Sequence, residues 1–105
     1  MVSGYNVMGV AKAALEASVR YLAEDLGARK IRVNAISAGP VKTASARAIK
    51  DFSSVLEVAP QRAPLRRNTD PAEVADAAVF LASDLGRGVT GNVLFVDSGM
   101  QIMGF

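Results

Sequence analysis

The alternation of helical and strand patterns limits this chain to one class of fold. Apolar and small residues recur at steps of three and four through residues 6–26, which is the helical period. The Ile- and Val-rich residues 31–37 follow and run into a Gly-Pro turn, as a buried strand does. A helix that leads into such a strand is typical of a βαβ unit. We therefore expect an α/β fold with a parallel sheet.

The first helix has a predicted end, and the segment after the first strand is harder to interpret. Gly27 follows the helical pattern at the position where a left-handed C-cap is usual. Residues 44–58 could form one or two helical turns, whereas Pro60 and Pro64 should interrupt anything longer. We predict a mobile, partly helical segment over residues 41–68.

A second explicit helix start follows this segment. Asp70 is a good N-cap residue, Pro71 suits the first helical position, and Glu73 completes a capping box. This helix should end near Asp84, and residues 92–96 have the composition of a second buried strand.

Two strands are too few for a stable sheet, since both edges would remain unpaired. A doubly wound sheet usually begins with a strand, a Gly-rich turn and a helix, in that order, and this succession is missing from the sequence. The expected fold is therefore the carboxy-terminal half of a doubly wound, Rossmann-like parallel sheet, with the amino-terminal Gly-rich half absent. We expect one partial domain over residues 1–105.

The composition excludes several classes of function. The chain has neither Cys nor His, so a metal site is not expected. A net charge of +2 with six aromatic residues (two Tyr and four Phe) argues against nucleic-acid binding. No apolar run reaches the ~20 residues that span a bilayer, and the first residues lack a signal-peptide pattern. We expect a cytoplasmic protein without membrane contact.

Tyr5 and Lys12 are the first candidate site residues. They lie seven positions apart, about two turns at ~3.6 residues per turn, and would share one face of a continuous helix. An ammonium near a phenol favours the phenolate and can also donate hydrogen bonds to sugar hydroxyls. The alternative is a packing tyrosine and a solvated lysine.

The turn at residues 37–43 is the second candidate. It follows a predicted buried strand, and ligands of open α/β sheets bind at the carboxyl ends of strands. Gly39 lets the backbone approach a flat ligand, Pro40 stiffens the turn, and Thr43 offers a hydroxyl. An ordinary strand-to-loop turn would have the same composition.

Three motifs together resemble the short-chain dehydrogenase/reductases: YNVMGVAK at 5–12, IRVNAISAGP at 31–40 and VDSG at 96–99. Most of that superfamily separates its Tyr and Lys by three residues. The six-residue gap here, with Asn-Val-Met-Gly inside it, resembles the bacterial NADH-dependent enoyl-acyl carrier protein reductases.

The resemblance implies hydride delivery from NADH to the β-carbon of a 2-enoyl thioester in fatty-acid synthesis. Tyr5 would stabilise or protonate the enolate oxygen, and Lys12 would hold the ribose hydroxyls of the nicotinamide nucleotide. Val41 and Thr43 would contact the carboxamide. The implied cofactor-binding residues are Lys12, Gly39, Pro40, Val41, Lys42 and Thr43. The implied acyl-pocket residues, for which core packing is the alternative, are Met8, Pro40, Ile49, Phe52 and Val55.

The resemblance also implies partners. Residues from about 43 to 58 would form a flap over cofactor and substrate. Arg47 and Lys50 on this flap could attract the acidic acyl carrier protein, although two solvated charges are the simpler interpretation. The family forms homo-oligomers, commonly tetramers.

One residue that the resemblance implies for the active site is missing from this sequence. The family has a second tyrosine about ten positions before Tyr5, which this sequence does not contain. We therefore expect a fragment that is inactive by itself. The alternatives are another short-chain dehydrogenase/reductase, such as a ketoacyl reductase, and a noncatalytic piece that self-associates through exposed apolar faces.

Overall fold

The computed structural model describes residues 4–44, 46 and 52–103, and it has the α/β architecture expected from the sequence. The helices and strands are α1 (Val7–Gly27), β1 (Ala35–Ala38), α2 (Phe52–Arg62), α3 (Pro71–Ala82) and β2 (Val93–Val96). Single 3₁₀ turns follow α3 at Asp84–Gly86 and β2 at Met100–Ile102.

Strands β1 and β2 pair in parallel. The amide of Ala35 donates to the Asn92 carbonyl at one end of the pair, and the amide of Gly39 donates to the Val96 carbonyl at the other, both at 2.9 Å. From the first bond to the second, the donor and the acceptor both move four residues toward the C-terminus, so the strands run parallel. The predicted fold class is confirmed.

The chain forms two compact units. The first lies within Met1–Ala35 and Val79–Leu94, and the second within Ile36–Ala78 and Phe95–Phe105. Among the described residues, the buried apolar side chains are Val19 and Ala23 in the first unit, and Ala46, Ala59, Ala63 and Met100 in the second. Large apolar side chains that are at least 60% exposed are Val7, Val10, Tyr21, Leu65, Val79, Leu85 and Ile102.

Helix α1 confirms the predicted first helix within one residue at each end. Its C-terminus differs from the expectation, because Gly27 is itself the last helical residue. The left-handed residue is Lys30, with φ of 59°, and its amide donates to the Gly27 carbonyl at 2.9 Å. The left-handed residue therefore lies three positions after Gly27, where the glycine C-cap was expected.

The first strand is shorter than predicted, because the residues before it are paired mainly through side chains. The Asn34 side chain donates to the Val89 carbonyl at 2.8 Å and accepts from the Asn92 amide at 3.1 Å. The Val33 amide donates to Thr90 Oγ1 at 3.1 Å. Side-chain bonds of this kind replace the ladder that a longer strand would require.

Helix α2 corrects the prediction that Pro60 would interrupt a helix. Pro60 lies inside the helix, near its C-terminal end. A proline there leaves the carbonyl four residues earlier, that of Leu56, without its usual backbone donor. The Asn68 side-chain amide donates to the Leu56 carbonyl at 3.0 Å, so the helix continues to Arg62.

Helix α3 begins as its capping box predicts. The Asp70 carboxylate accepts from the Ala72 amide at 2.8 Å, and the Glu73 carboxylate accepts from the Asp70 amide at 2.9 Å. These reciprocal bonds satisfy two amides that the first helical turn leaves open. Among the helices of residues 4–44, 46 and 52–103, none is long and apolar enough to cross a membrane.

Candidate functional site

Tyr5 lies just ahead of α1, not on it. Asn6 has a left-handed backbone with φ of 49°, and the Met8 amide donates to the Tyr5 carbonyl at 3.1 Å. The half-buried Tyr5 ring lies over Gly9, with Cδ1 3.7 Å from the position that a Cβ of Gly9 would take. A Cβ at residue 9 would therefore meet the ring at an ordinary van der Waals distance.

Lys12 is exposed on α1, in the same unit as Tyr5. Within the part of the chain that the structure describes, neither the Lys12 ammonium nor the Tyr5 hydroxyl has a hydrogen-bond or salt-bridge partner. A free ammonium and a free phenol seven positions apart can both serve an external ligand. Because Tyr5 precedes the helix, their common helical face stays a prediction.

The loop at residues 39–43 belongs to the second unit and begins where β1 ends. Pro40 and Val41 are half-buried, whereas Lys42 and Thr43 are exposed. The Thr43 hydroxyl accepts from the Ala46 amide at 3.1 Å. Its own hydrogen therefore remains available as a donor to a ligand.

The predicted acyl-pocket residues are divided between the units. Met8 is exposed in the first unit, and Pro40 and Val55 belong to the second, where Val55 is 39% exposed. Phe52 is the first residue of α2, and its side chain lies outside the described structure. Ile49, Arg47 and Lys50 also lie outside the described residues, so the acyl pocket and the carrier-protein contact stay predictions.

Gly39 has close neighbours that the sequence did not indicate. A Cβ at this position would lie 2.5 Å from Thr69 Oγ1 and 2.9 Å from the Cα of Asp97. Thr69 is buried, and its Oγ1 has no hydrogen-bond partner among the described residues. The neighbouring capping residue Asp70 marks the segment in the sequence, but no sequence pattern connects Thr69 with Gly39.

Asp97 holds the turn after β2. Its two carboxylate oxygens accept from the Gly99 amide at 2.9 Å and the Gln101 amide at 2.7 Å. Gly99 has φ of 87° and packs against Pro64, where a Cβ would come within 2.7 Å of the proline ring. The carboxylate is therefore occupied in fixing its own turn.

A salt bridge between Arg67 and Glu73 lies next to this turn. The guanidinium and the carboxylate form two parallel hydrogen bonds of 2.7 and 2.5 Å. The bond from Arg67, together with the one from the Asp70 amide, lowers the pKa of Glu73 to about 2, and the same pair raises the pKa of Arg67. Both side chains are substantially exposed, so the pair is open to screening by salt.

A shallow cavity of about 360 Å³ opens beside this salt bridge. It lies wholly in the second unit. Its lining residues are Leu65, Arg67, Glu73, Phe95, Val96, Asp97, Ser98, Gly99 and Gln101. None of the site residues predicted from sequence lines this cavity.

The glycines at 86, 88 and 91 have the spacing of a dinucleotide-binding fingerprint but occupy a different structural context. They follow α3 and precede β2, whereas a pyrophosphate loop follows a strand and opens a helix. Gly86 is needed for packing, because a Cβ there would lie 2.6 Å from the Phe80 carbonyl oxygen. This run is a helix-to-strand connection.

No cluster of three potential metal-ligating side chains occurs among the residues that the structure covers.

The chain as a whole is similar to one family of known proteins. A family model described as enoyl-(acyl carrier protein) reductase matches residues 1–101. The NADH-dependent enoyl-acyl carrier protein reductase FabI of Bacillus cereus is 64% identical over 104 residues, which cover 99% of this chain and 41% of that protein. FabI of Bacillus subtilis is 61% identical over 102 residues, covering 97% of this chain and 40% of that protein. The chain thus spans about two-fifths of the length of these relatives.

Solved structures of the same family superimpose on the whole chain. The Bacillus cereus enoyl-acyl carrier protein reductase, crystallised with NADP⁺ and an indole naphthyridinone, matches with a TM-score of 0.96 and 63% identity. The enzyme of Anaplasma phagocytophilum in complex with NAD matches with a TM-score of 0.89 and 54% identity. This chain covers 41% and 38% of those two chains, respectively.

Proposed function

We propose a function from one premise: the chain belongs to the enoyl-(acyl carrier protein) reductase family. It carries the Tyr/Lys part of the site of an enzyme that reduces 2-enoyl thioesters of acyl carrier protein in fatty-acid synthesis. The observation that supports this most directly is a pair of polar groups without a partner among the described residues: the Tyr5 hydroxyl just ahead of α1 and the Lys12 ammonium on α1.

In each unit, the residues of the proposed site have the chemistry that the nicotinamide end of NADH requires. Lys12 offers ribose hydroxyls an ammonium that has no partner among the described residues, and Thr43 keeps a hydroxyl hydrogen for the carboxamide. Gly39, Pro40, Val41 and Lys42 place backbone at the carboxyl end of a parallel strand, where such ligands bind. When bound, NADH supplies the hydride that reduces the double bond of the thioester.

Tyr5 acts at the thioester carbonyl in this proposal. Its hydroxyl donates to the oxygen on which negative charge develops as the β-carbon is reduced. Lys12 serves this step by holding the ribose hydroxyls of the nicotinamide nucleotide. A donor that acts on the developing charge contributes mainly to kcat, so its loss should slow turnover more than it weakens binding.

Substrate and carrier contacts belong to the same proposal. Met8, Pro40, Ile49, Phe52 and Val55 would line the acyl pocket. The basic side chains of Arg47 and Lys50 would attract an acidic carrier protein through long-range electrostatic steering.

The proposal extends to location and assembly. A cytoplasmic location follows from the proposed NADH cofactor and carrier-linked substrate. Assembly into a homo-oligomer is supported by the exposed apolar side chains of α1, among them Val7, Val10 and Leu15. A net charge of +2 gives no reason to propose a nucleic-acid partner. The same exposed side chains favour noncatalytic self-association as the second candidate function.

Steady-state NADH oxidation with a short 2-enoyl thioester tests the proposal. Two proteins are compared: the 105-residue chain, and a chimaera in which these residues replace the matching 104 residues of the Bacillus cereus relative. We expect Tyr5→Phe to lower kcat of the chimaera about 10²- to 10³-fold. Tyr21→Phe is the matched control, since Tyr21 is 76% exposed on α1. Equal activity of the two variants would refute the role of Tyr5. If the chimaera shows no turnover and the 105-residue chain self-associates, noncatalytic self-association is favoured instead.

A further inference from the structure

Thr69, to which the proposed function gives no role, contacts Gly39 at the start of the candidate cofactor loop, residues 39–43. Its side chain is 5% exposed, and Oγ1 lies 2.5 Å from the position that a Cβ of Gly39 would take. One α-hydrogen of Gly39 points toward Thr69 Oγ1 in place of a Cβ. The hydroxyl has no hydrogen-bond partner among the residues that the structure describes, which is unusual for a buried polar group.

The segment around Thr69 is anchored on both sides. Before it, Asn68 donates to the Leu56 carbonyl at 3.0 Å. After it, the Asp70 amide donates to the Glu73 carboxylate at 2.9 Å, and Glu73 is also bonded to Arg67. Because neighbouring residues are fixed in this way, Thr69 cannot easily withdraw from Gly39.

Asp97 forms the second contact of Gly39. Its Cα would lie 2.9 Å from a Cβ of Gly39, and both of its carboxylate oxygens hold backbone amides of its own turn. Gly39 therefore rests against two groups whose positions are set elsewhere in the second unit. The backbone bond from Gly39 to Val96 completes this support at 2.9 Å.

We infer that Thr69 is a positioning residue that fixes the start of the nicotinamide-binding loop through the shape of its buried side chain. This inference rests on the proposed function, because the loop at residues 39–43 is assigned to NADH there. Thr69 itself need not touch cofactor or substrate. Since its hydroxyl has no partner among the described residues, we expect the shape of the side chain, and not a hydrogen bond, to support Gly39.

Amide exchange measured by NMR tests the inference without depending on activity. The amides of Gly39 and Ala35 lie at opposite ends of the strand pair, each in a bond of 2.9 Å. We expect Thr69→Ala to speed exchange of the Gly39 amide about tenfold and to leave Ala35 near its parent rate. Thr69→Val, which keeps both branch positions, should restore the parent rate at Gly39.

Thr90→Ala is the matched control, because Thr90 accepts from the Val33 amide beside Ala35. It should give the reverse pattern, with faster exchange at Ala35 and little change at Gly39. Equal acceleration at both amides in Thr69→Ala would show general destabilisation and overturn the inference. Slow exchange in Thr69→Ala, or fast exchange in Thr69→Val, would overturn it as well.

Kinetics of the chimaera separate this inference from the proposed function. Thr69→Ala should raise KM for NADH about tenfold, with a smaller effect on kcat, and Thr69→Val should behave like the parent. An active parent whose KM for NADH is unchanged by Thr69→Ala would overturn the inference alone. A parent without NADH oxidation would overturn the proposed function and the cofactor-directed part of the inference together.

Discussion

The Asn68 side-chain amide donates to the Leu56 carbonyl at 3.0 Å, in place of the backbone amide that Pro60 lacks. This one bond explains how α2 passes through a proline and reaches Arg62. It also anchors the segment that carries Thr69, so the integrity of α2 and the position of the candidate loop depend on the same side chain.

Removal of this donor should weaken the fold. We expect Asn68→Ala to lower the free energy of unfolding by about 1–3 kcal/mol, because the Leu56 carbonyl loses its partner. The measurement is urea denaturation followed by far-UV circular dichroism. Asn92→Ala is the control, since its side-chain amide has no bond within the described part of the chain.

A double-mutant cycle isolates the cause. Pro60→Ala supplies a backbone amide to the Leu56 carbonyl, so Asn68→Ala should cost less in that background than in the parent. Equal costs in the two backgrounds would show that Asn68 stabilises the protein in some other way.

Two glycine substitutions should act in opposite directions. Gly39→Ala places a Cβ 2.5 Å from Thr69 Oγ1 and 2.9 Å from the Asp97 Cα, so we expect a loss of about 1–3 kcal/mol in unfolding free energy. At Gly27, the last residue of α1, a Cβ meets nothing within 4 Å. Gly27→Ala should therefore stabilise the protein by about 0.5–1 kcal/mol. Thermal melts of both variants check this, and a neutral Gly39→Ala would contradict the described packing.

Stability should depend on acid through Glu73. The pKa of its carboxyl is lowered to about 2 by Arg67 and the Asp70 amide, against an ordinary value of 4.5. A lowered folded-state pKa adds stability that is fully present above about pH 4.5 and is lost as the pH falls toward 2. We expect Glu73→Gln to be less stable than the parent at pH 6 and the difference to shrink at pH 2.5, as measured by urea midpoints.

The control for this pH dependence is Glu57→Gln. Glu57 is exposed on α2 and forms no salt bridge among the residues described. Added salt should also narrow the difference between Glu73→Gln and the parent at pH 6, because the pair is substantially exposed. A difference that stays constant from pH 6 to pH 2.5 would rule out the carboxylate as its source.

The parts of the fold that local rules control were predictable from the sequence. The period of α1 and the capping box of α3 depend on residues within a few positions of each other, and both were predicted to within one or two residues. The continuation of α2 through Pro60 depends on Asn68, eight positions further along the chain, and was predicted wrongly. The shortening of β1 likewise depends on Asn34 and on residues more than fifty positions away.

The candidate site divides in the same way. Tyr5, Lys12 and the turn at residues 39–43 stand out because their residue types and spacing are local features. The contact of Thr69 with Gly39 joins positions thirty residues apart. The buried Thr69 hydroxyl, which has no partner among the described residues, has no signature in the sequence. Contacts of this kind arise only when the strand pair and the start of α3 have formed.

Transfer of deuterium from NADH labelled at both C4 positions tests the central claim most directly. The chimaera is incubated with labelled NADH and, in separate reactions, with a 2-enoyl thioester or a 3-ketoacyl thioester, and each product is analysed by mass spectrometry and NMR. We predict a saturated thioester with one deuterium at its β-carbon, and almost none of it in the Tyr5→Phe variant. Failure of the parent to form this product, or reduction only of a 3-ketoacyl thioester to the labelled 3-hydroxy compound, would contradict the claim.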